Sequence, residues 1–491
     1  MLRPWPFLLS VARDGALPLH LQIVRQIADA VQRGRLAPGS ALPGSRELAE
    51  RLAINRKTVV LAYEELAAQG WVSAEGRRGT FVAASLPPPL REPVAGEALP
   101  PADWEDAAAD GDLIDFSENV PDSRLIPFDA LGRAYRRALI ATARSGRLAY
   151  GDPRGEIGLR RALLRMLTME RGLTATLDNL CLARGSLMGI YLAGKALLKP
   201  GDAVALDRLS YPSARNAFRS QGAQCLDVAC DGHGMLPDAL EDLCRGHPVK
   251  AVYLTPHHQF PTTLMMPAER RLQLLALAER YDFHIIEDDY DHEFHFDHRP
   301  MPPLASLPGG RRVVYVGSLS KVLAPGLRVG YVVASAELIA RCVDNILLID
   351  RQGNPVTEQA VAELMDHGEL KRHLRRAWRV YRERRQTLAE ALDRELAGLA
   401  EFELPAGGLA VWLRFDPRLD MDRLVADARR HGVKILPGSH FTGDGSPEPG
   451  LRLCYADLEG ARLRQGVARL ARALRGQMAS FAAEKVVAGI E

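Results

Sequence analysis

Two runs in the second half of the chain carry side chains whose types and spacing suit covalent chemistry on an aldehyde. In FHIIEDDYDHEF a β-branched run ends on Asp288, Asp289 and Tyr290; in YVGSLSK another ends on Ser318, Ser320 and Lys321, with Pro325, Gly326 and Arg328 following. A lysine so placed condenses with an aldehyde once partial burial and cationic neighbours lower its pKa. Asp288 then suits a protonated pyridine nitrogen, and Tyr290 a ring phenolate. The serines and Arg328 suit a phosphate. So does the helix start in LARGSLMG, where Gly185 and Ser186 precede N–H groups with no partner inside the helix. Aldehyde, ring nitrogen, phenolate and phosphate are the four demands of pyridoxal 5′-phosphate. Taken singly, a lysine after Ser-x-Ser is usually a surface residue and Asp-Asp-Tyr is usually a turn. Their joint occurrence in this order favours the cofactor.

The elements that must position these groups are short runs alternating with helical stretches: LCLAR (180–184), AVALD (203–207), AVYLT (251–255), FHIIED (283–288), RVVYVG (312–317) and VGYVVAS (329–335). This alternation predicts a mainly parallel α/β sheet, in which ligands bind beyond the carboxyl ends of the strands. His284, His292, His295 and His298 crowd the same region, but no acidic and histidine set there has a settled ligand spacing, so no metal is expected. With 491 residues, 47% hydrophobic and 25% charged, the composition is globular and the length allows about three domains. Nothing approaches ~18 consecutive apolar residues, and Arg13 and Asp14 interrupt the apolar start. No membrane span or signal peptide is expected, and the protein is placed in the cytoplasm. Six scattered cysteines without a CxxC pair read as reduced thiols.

The net charge of +2 divides into +4 over residues 1–83, −6 over 84–112 and +4 over 113–491. The middle segment holds six prolines and reads as an extended, self-repelling linker. It separates a small head, 1–83, from a large body, 113–491, with a loose tail expected from about 477. In the head, Leu19, Ile23, Ile27 and Val31 recur every fourth residue and predict a helix ending near Gly34. Ser45 and Asn55 are expected to cap a second and a third helix, with Leu48 and Leu52 facing inwards on one and Val59, Tyr63 and Leu66 on the other. Arg56, Lys57 and Thr58 then point outwards from the third helix, which Gly70 closes. Strands at 71–74 and 80–83 flank a basic tip, Arg77 and Arg78. Three helices and a basic hairpin form a winged helix-turn-helix pattern, suited to phosphates and guanine edges. On pattern alone a docking module is the alternative.

The wording of these segments adds a family reading. LAPGSALPGSRELAERLAINRKTVVLAYEELAAQGWVSAEGRRGTFVA resembles the winged-helix domain of GntR-type bacterial regulators. That resemblance implies DNA contacts from Arg46, Arg56, Lys57 and Thr58, with Arg77, Arg78 and Gly79 in the wing. Residues 113–475 resemble fold-type I aminotransferases: YGDPRGEIGLRRALLRML, LARGS, TPHHQFPTT, IIEDDYDHEF, YVGSLSKVLAPGLRVGYVV and GLRLCYA occur in the family order. By this resemblance Lys321 is the catalytic lysine and holds pyridoxal 5′-phosphate as an internal aldimine, Asp288 pairs the ring nitrogen and Tyr290 meets the phenolic oxygen. Ser186, Ser318, Ser320 and Arg328 bind the phosphate, Tyr211 stacks near the ring, and His258 or Gln259 adds a polar contact. Tyr150 reaches the neighbouring subunit's site, and Arg452 clamps a substrate carboxylate, for which a planar guanidinium fork is suited. The phosphate loop departs from the pattern: GSLMG stands where many relatives have polar residues, so backbone N–H contact is expected there.

Head and body together resemble the MocR/GabR family of bacterial transcription regulators. The resemblance implies an α/β architecture in which a winged helix-turn-helix domain precedes a PLP-dependent transferase domain of aminotransferase fold-type I. It implies double-stranded operator DNA as a partner, a head-to-tail homodimer, and an amino compound or PLP itself as effector, sensed at Lys321. A working aminotransferase with an appended regulatory head is the alternative.

Overall fold

The structure, a computed structural model, describes residues 9–13, 17–85, 112–145 and 149–487, with backbone alone at 77 and 479–487. Two compact units make up the chain, Met1–Ala109 and Asp110–Glu491. The linker expected at 84–112 lies almost wholly outside the described residues.

In the first unit the four-residue apolar spacing produces α1 (Leu19–Gln32), which buries Ile23, Ile27 and Val31, and Gly34 leaves it at φ +70°. The helices α2 (Ser45–Arg51) and α3 (Arg56–Ala68) follow. Asn55 caps α3 by accepting the Lys57 N–H at 2.8 Å. Ser45 does not cap α2. Gly44 holds that position, and the Ser45 hydroxyl, now the first helical residue's, accepts Arg56 Nε at 3.2 Å. Val59, Tyr63 and Leu66 face the core, and the Tyr63 hydroxyl donates to Pro43 O at 2.8 Å. The hairpin pairs β1 (Val72–Ala74) with β2 (Thr80–Val82), Val72 opposite Val82. Trp71 and Ala83, expected inside the strands, keep one bond (3.0 Å) just beyond them. Residues 40–42 add a third edge: Val82 N–H donates to Ser40 O and Leu42 N–H to Thr80 O.

The second unit is built on a seven-stranded sheet. Its strands are β3 (Leu180–Ala183), β4 (Ala203–Asp207), β5 (Gln224–Val228), β6 (Val249–Leu254), β7 (His284–Asp289), β8 (Val313–Ser318) and β9 (Gly330–Val333). They lie in the order β3-β9-β8-β7-β6-β4-β5. β9 runs antiparallel to both neighbours; all other pairs are parallel. Central strands such as β4 and β8 are buried along their whole length, which is why their sequences are continuous apolar runs. β5 is absent from the six runs read in the sequence because it is an edge strand with Gln224 and Asp227 exposed.

A second layer holds β10 (Ala410–Arg414) antiparallel to β11 (Gly450–Cys454), packed with the helices Glu369–Leu396 and Gly460–Val487. Ile114–Asp115 joins this layer by pairing in parallel with Val433–Lys434. The last helix continues well past 477, where a loose tail is expected. Gln477 is fully buried there and its amide donates to Asp420 O at 3.0 Å. Among the described residues no helix is long and apolar enough to cross a membrane, and none of the six cysteines is paired.

Candidate functional site

Strand direction decides where the polar residues meet. β3, β4, β6, β7 and β8 all run the same way, so Ser186, Tyr211, Thr255, Asp288, Tyr290 and Lys321 emerge at one edge of the sheet. β9 runs the other way, so Arg328, two residues before it, reaches the same edge. These side chains line one cavity of about 410 Å³, together with Ser318, Ser320, Phe260, Asn119 and Arg452.

At the floor, Asp288 is 4% exposed; the Tyr253 hydroxyl donates to its Oδ2 at 2.8 Å, while Oδ1 has no hydrogen-bond partner. Burial pushes the Asp288 carboxyl up to about 7, against the pull of Tyr253 and Lys321. The Lys321 amine is brought down to about 8, chiefly by burial and further by the Arg452 charge, and it donates to Asn119 O. Tyr290 donates its hydroxyl to His258 O at 2.9 Å and is held there by the turn after β7.

The wall nearest β3 is suited to an anion. Gly185 precedes the helix Ser186–Leu197 at φ +80°, and the Arg328 guanidinium packs where a Cβ would stand, 3.0 Å away. Gly330 is likewise obligatory, since its Cβ would lie 2.6 Å from the Gly185 carbonyl carbon. Arg328 donates to Arg184 O at 2.7 Å, and Ser320 N–H donates to Ser318 Oγ at 3.0 Å. Across the cavity Arg452, buried on β11, lies 4.7 Å from the Phe260 ring centroid and 2.8 Å (Nη1) from Cys454 Sγ. Its Nε and Nη2 have no partner. Two donors of a fork are thus presented to a carboxylate.

Below the floor, Arg171 is buried and gathers Asp289, Glu293, Tyr315 and Tyr331. Losing this buried cation leaves Asp289 and Glu293 without their guanidinium partner, so Arg171→Leu is expected to lower stability by about 3–5 kcal/mol. Urea unfolding of the full chain checks this; a change below about 1 kcal/mol contradicts it. Asp288 gives a pH signature. Its folded pKa is raised, so the folded state holds the extra proton between about pH 4 and 7, and stability falls as pH rises through that window. Asp288→Asn is expected to flatten the fall and to leave the ligand-free protein about 2 kcal/mol more stable near pH 8. Unfolding curves at about pH 5 and pH 8 test it, and an undiminished slope in the variant contradicts it.

On the first unit Arg46, Arg56 and Lys57 are exposed, Thr58 is half-buried, and Asn55 already occupies the Lys57 N–H. In the wing, Arg78 pairs with Glu75 at 2.9 Å, Gly79 takes φ +113°, and the side chain of Arg77 lies outside the described residues.

Residues 19–82 match the family of bacterial regulatory proteins, gntR family, and residues 111–470 match aminotransferase class I and II. The chain is 33% identical to the HTH-type transcriptional regulator TauR of Rhodobacter capsulatus, over 96% of this chain and 99% of TauR. It is 28% identical to the probable rhizopine catabolism regulatory protein MocR of Rhizobium meliloti, over 94% of each chain. The chain belongs to the MocR-type transcription regulators. The crystal structure of LysN, an α-aminoadipate aminotransferase from Thermus thermophilus, is similar to this regulator's body, with 32% identity and a TM-score of 0.70 over 75% of this chain and 94% of LysN. This MocR-type protein is therefore a DNA-binding transcription regulator with a fold-type I aminotransferase domain.

Not every expected residue joins the regulator's cavity. His258 contributes its carbonyl to Tyr290, while its ring turns away to Asp291 at 2.7 Å. The Gln259 amide is spent on Asp207 (3.1 Å) and Leu209 O (2.7 Å). Tyr150, expected at a neighbouring subunit's site, is 74% exposed under the Arg351 guanidinium, 4.1 Å from its ring centroid. Sequence reading missed Tyr253, Phe260 and Asn119. Tyr253 sits inside a buried strand and reads as core, and Asn119 is 202 residues from the lysine it meets.

Proposed function

We propose that this regulator binds pyridoxal 5′-phosphate at Lys321 and senses an amino compound, or the vitamer itself, by changing the grip of its head on operator DNA. The observation that carries this reading is the buried, unpartnered Oδ1 of Asp288 in the wall of the cavity that also holds Lys321. A protonated ring nitrogen satisfies that oxygen and lowers the cost of keeping the carboxylate charged. When bound, the cofactor supplies an electron-poor ring and an aldehyde carbon that exchanges between the lysine and an incoming amine.

The chain's own groups do the rest. Ser186, Ser318, Ser320 and Arg328, with the first N–H groups of the helix Ser186–Leu197, hold the phosphate. Tyr290 meets the phenolic oxygen and Tyr211 stands beside the ring. A Lys321 amine with its pKa near 8 is neutral often enough at neutral pH to act as nucleophile, and once displaced it can take or return a proton at Nζ. Arg452 receives the carboxylate of an amino acid effector on Nε and Nη2.

Arg46, Arg56, Lys57 and Thr58, with the wing, contact DNA, and a head-to-tail dimer presents two heads to paired half-sites. An effector shifts DNA affinity only by its differential affinity for the two states, typically 5–150-fold. Titrating the full chain on the DNA upstream of its own gene, with PLP and a panel of amines, tests the reading. One amine, or PLP, is expected to change affinity within that range; equal affinity with every compound overturns it. Lys321, Asp288 and Arg452 together also favour a second reading, turnover of amino donor to keto acid. Sustained keto acid production at about 1 per second or faster would promote it.

A further inference from the structure

The histidines behind the cavity floor form a cluster that the cofactor chemistry does not use. His257 follows β6, while His292 and His295 lie in the turn after β7. The three are 2%, 5% and 7% exposed, and one ring nitrogen of each lies within 4.8 Å of the others. Their ring centroids are 4.6, 5.6 and 5.8 Å apart, edge to face. Asp289 stands beside His257 and His292. Alternation along β7 turns it to the opposite face of the sheet from Asp288.

The hydrogen bonds leave this cluster incomplete. His257 Nε2 lies 2.6 Å from Met301 O, which makes it the donor and leaves Nδ1 with its lone pair in the neutral ring. That Nδ1 stands 3.3 Å from Asp289 Oδ1, and His292 Nδ1 stands 3.0 Å from Asp289 Oδ2, in neither case aligned as a hydrogen bond. Both nitrogens of His292, Nε2 of His295 and Oδ1 of Asp289 are buried without partners as well. Each ring of the cluster thus keeps a buried nitrogen that normally demands a partner.

We infer that His257, His292 and His295 form a binding site for a divalent transition ion of the zinc class. Three imidazoles are a nitrogen donor set that suits such an ion, with bonds of about 2.0–2.1 Å and ligand atoms about 3.3 Å apart. The rings must therefore close by about 1.5 Å from the widest spacing allowed here, a rotation of side chains. Neighbouring charges permit it. The charge of Arg171 beside Asp289 is already met by Glu293 as well as Asp289. The ion ties the loop that carries Phe260 to the turn that carries Tyr290, two walls of the cavity. Its separation in sequence hides it: His257 is 35 residues from His292, so neither run has a metal-ligand spacing of its own.

The test uses the full chain purified without a polyhistidine tag, equilibrated with zinc chloride and then dialysed. Elemental analysis is expected to find one zinc per chain, a cobalt-substituted sample is expected to show tetrahedral nitrogen-oxygen bands without thiolate charge transfer, and zinc is expected to raise Tm. His292→Ala with His295→Ala is expected to weaken zinc binding by more than ~100-fold, beyond the 10–100-fold typical of outer-shell changes. His298→Ala, at an exposed position, should bind as the wild type does. Substoichiometric zinc in the wild type, thiolate bands in the cobalt spectrum, or unaltered binding in the folded double variant each overturn the site. Should the double variant not fold, stoichiometry and the cobalt spectrum of the wild type decide. None of these readings depends on PLP or DNA binding.

Discussion

Lys321→Ala protein mixed with pyridoxal 5′-phosphate is expected to emerge from a desalting column colourless, whereas the wild type keeps the cofactor. After borohydride reduction only the wild type should yield a peptide containing residue 321 with the mass of the reduced adduct. The expectation follows from position and acidity together. Lys321 leaves the end of β8 into the same cavity as Asp288 and the serine-arginine corner, and burial brings its amine down to about 8. An ordinary lysine near 10.4 is almost wholly protonated at neutral pH. A lysine near 8 is about one-tenth neutral there, so capture should quicken roughly tenfold per pH unit up to about 8 and then level off. An adduct on another lysine, or a visible band unchanged in the alanine variant, contradicts the assignment.

Arg56→Ala combined with Lys57→Ala is expected to weaken operator binding about 10–100-fold at moderate salt and to make log K against log salt shallower by about 2. Both cations stand exposed on the first turn of α3, and the fold is arranged to leave them there. Asn55 caps the helix, while Val59, Tyr63 and Leu66 hold its other face in the core. Arg56 donates to one hydroxyl, that of Ser45 at 3.2 Å, an exposed bond that costs little to exchange for a phosphate. Neither side chain supports the head's core, so the double variant should unfold at the same temperature as the wild type. An unchanged salt slope would mean that α3 does not face the DNA.

The cofactor corner is legible in the sequence because a parallel sheet sends every strand's carboxyl end to one edge. Knowing the strands therefore groups Ser186, Tyr211, Asp288, Tyr290, Ser318 and Lys321 without knowing their distances. Arg328 joins them for a different reason, the reversal of β9, which the run VGYVVAS does not announce. What stays hidden is contact across long stretches of chain. Asn119 meets Lys321, Arg171 gathers residues from β7, β8 and β9, and His257 meets His292, and no local pattern encodes any of these. His258 and Gln259 show the opposite case. They stand in a recognisable motif, TPHHQFPTT, yet their side chains serve Asp291 and Asp207, and a backbone carbonyl is what reaches towards the cavity. Ser45 is a smaller instance, a good capping residue one position too late.

Coupling between the lysine site and the DNA grip has a direct measure. If an amine changes operator affinity by some factor, saturating operator must change the affinity for that amine by the same factor, since both close one thermodynamic cycle. The amine is titrated into PLP-loaded protein and followed by the visible spectrum, once alone and once with excess operator duplex. The two midpoints are expected to differ by the factor by which that amine shifts DNA binding. Coincident midpoints, for an amine that plainly alters the spectrum, would contradict communication between the two units.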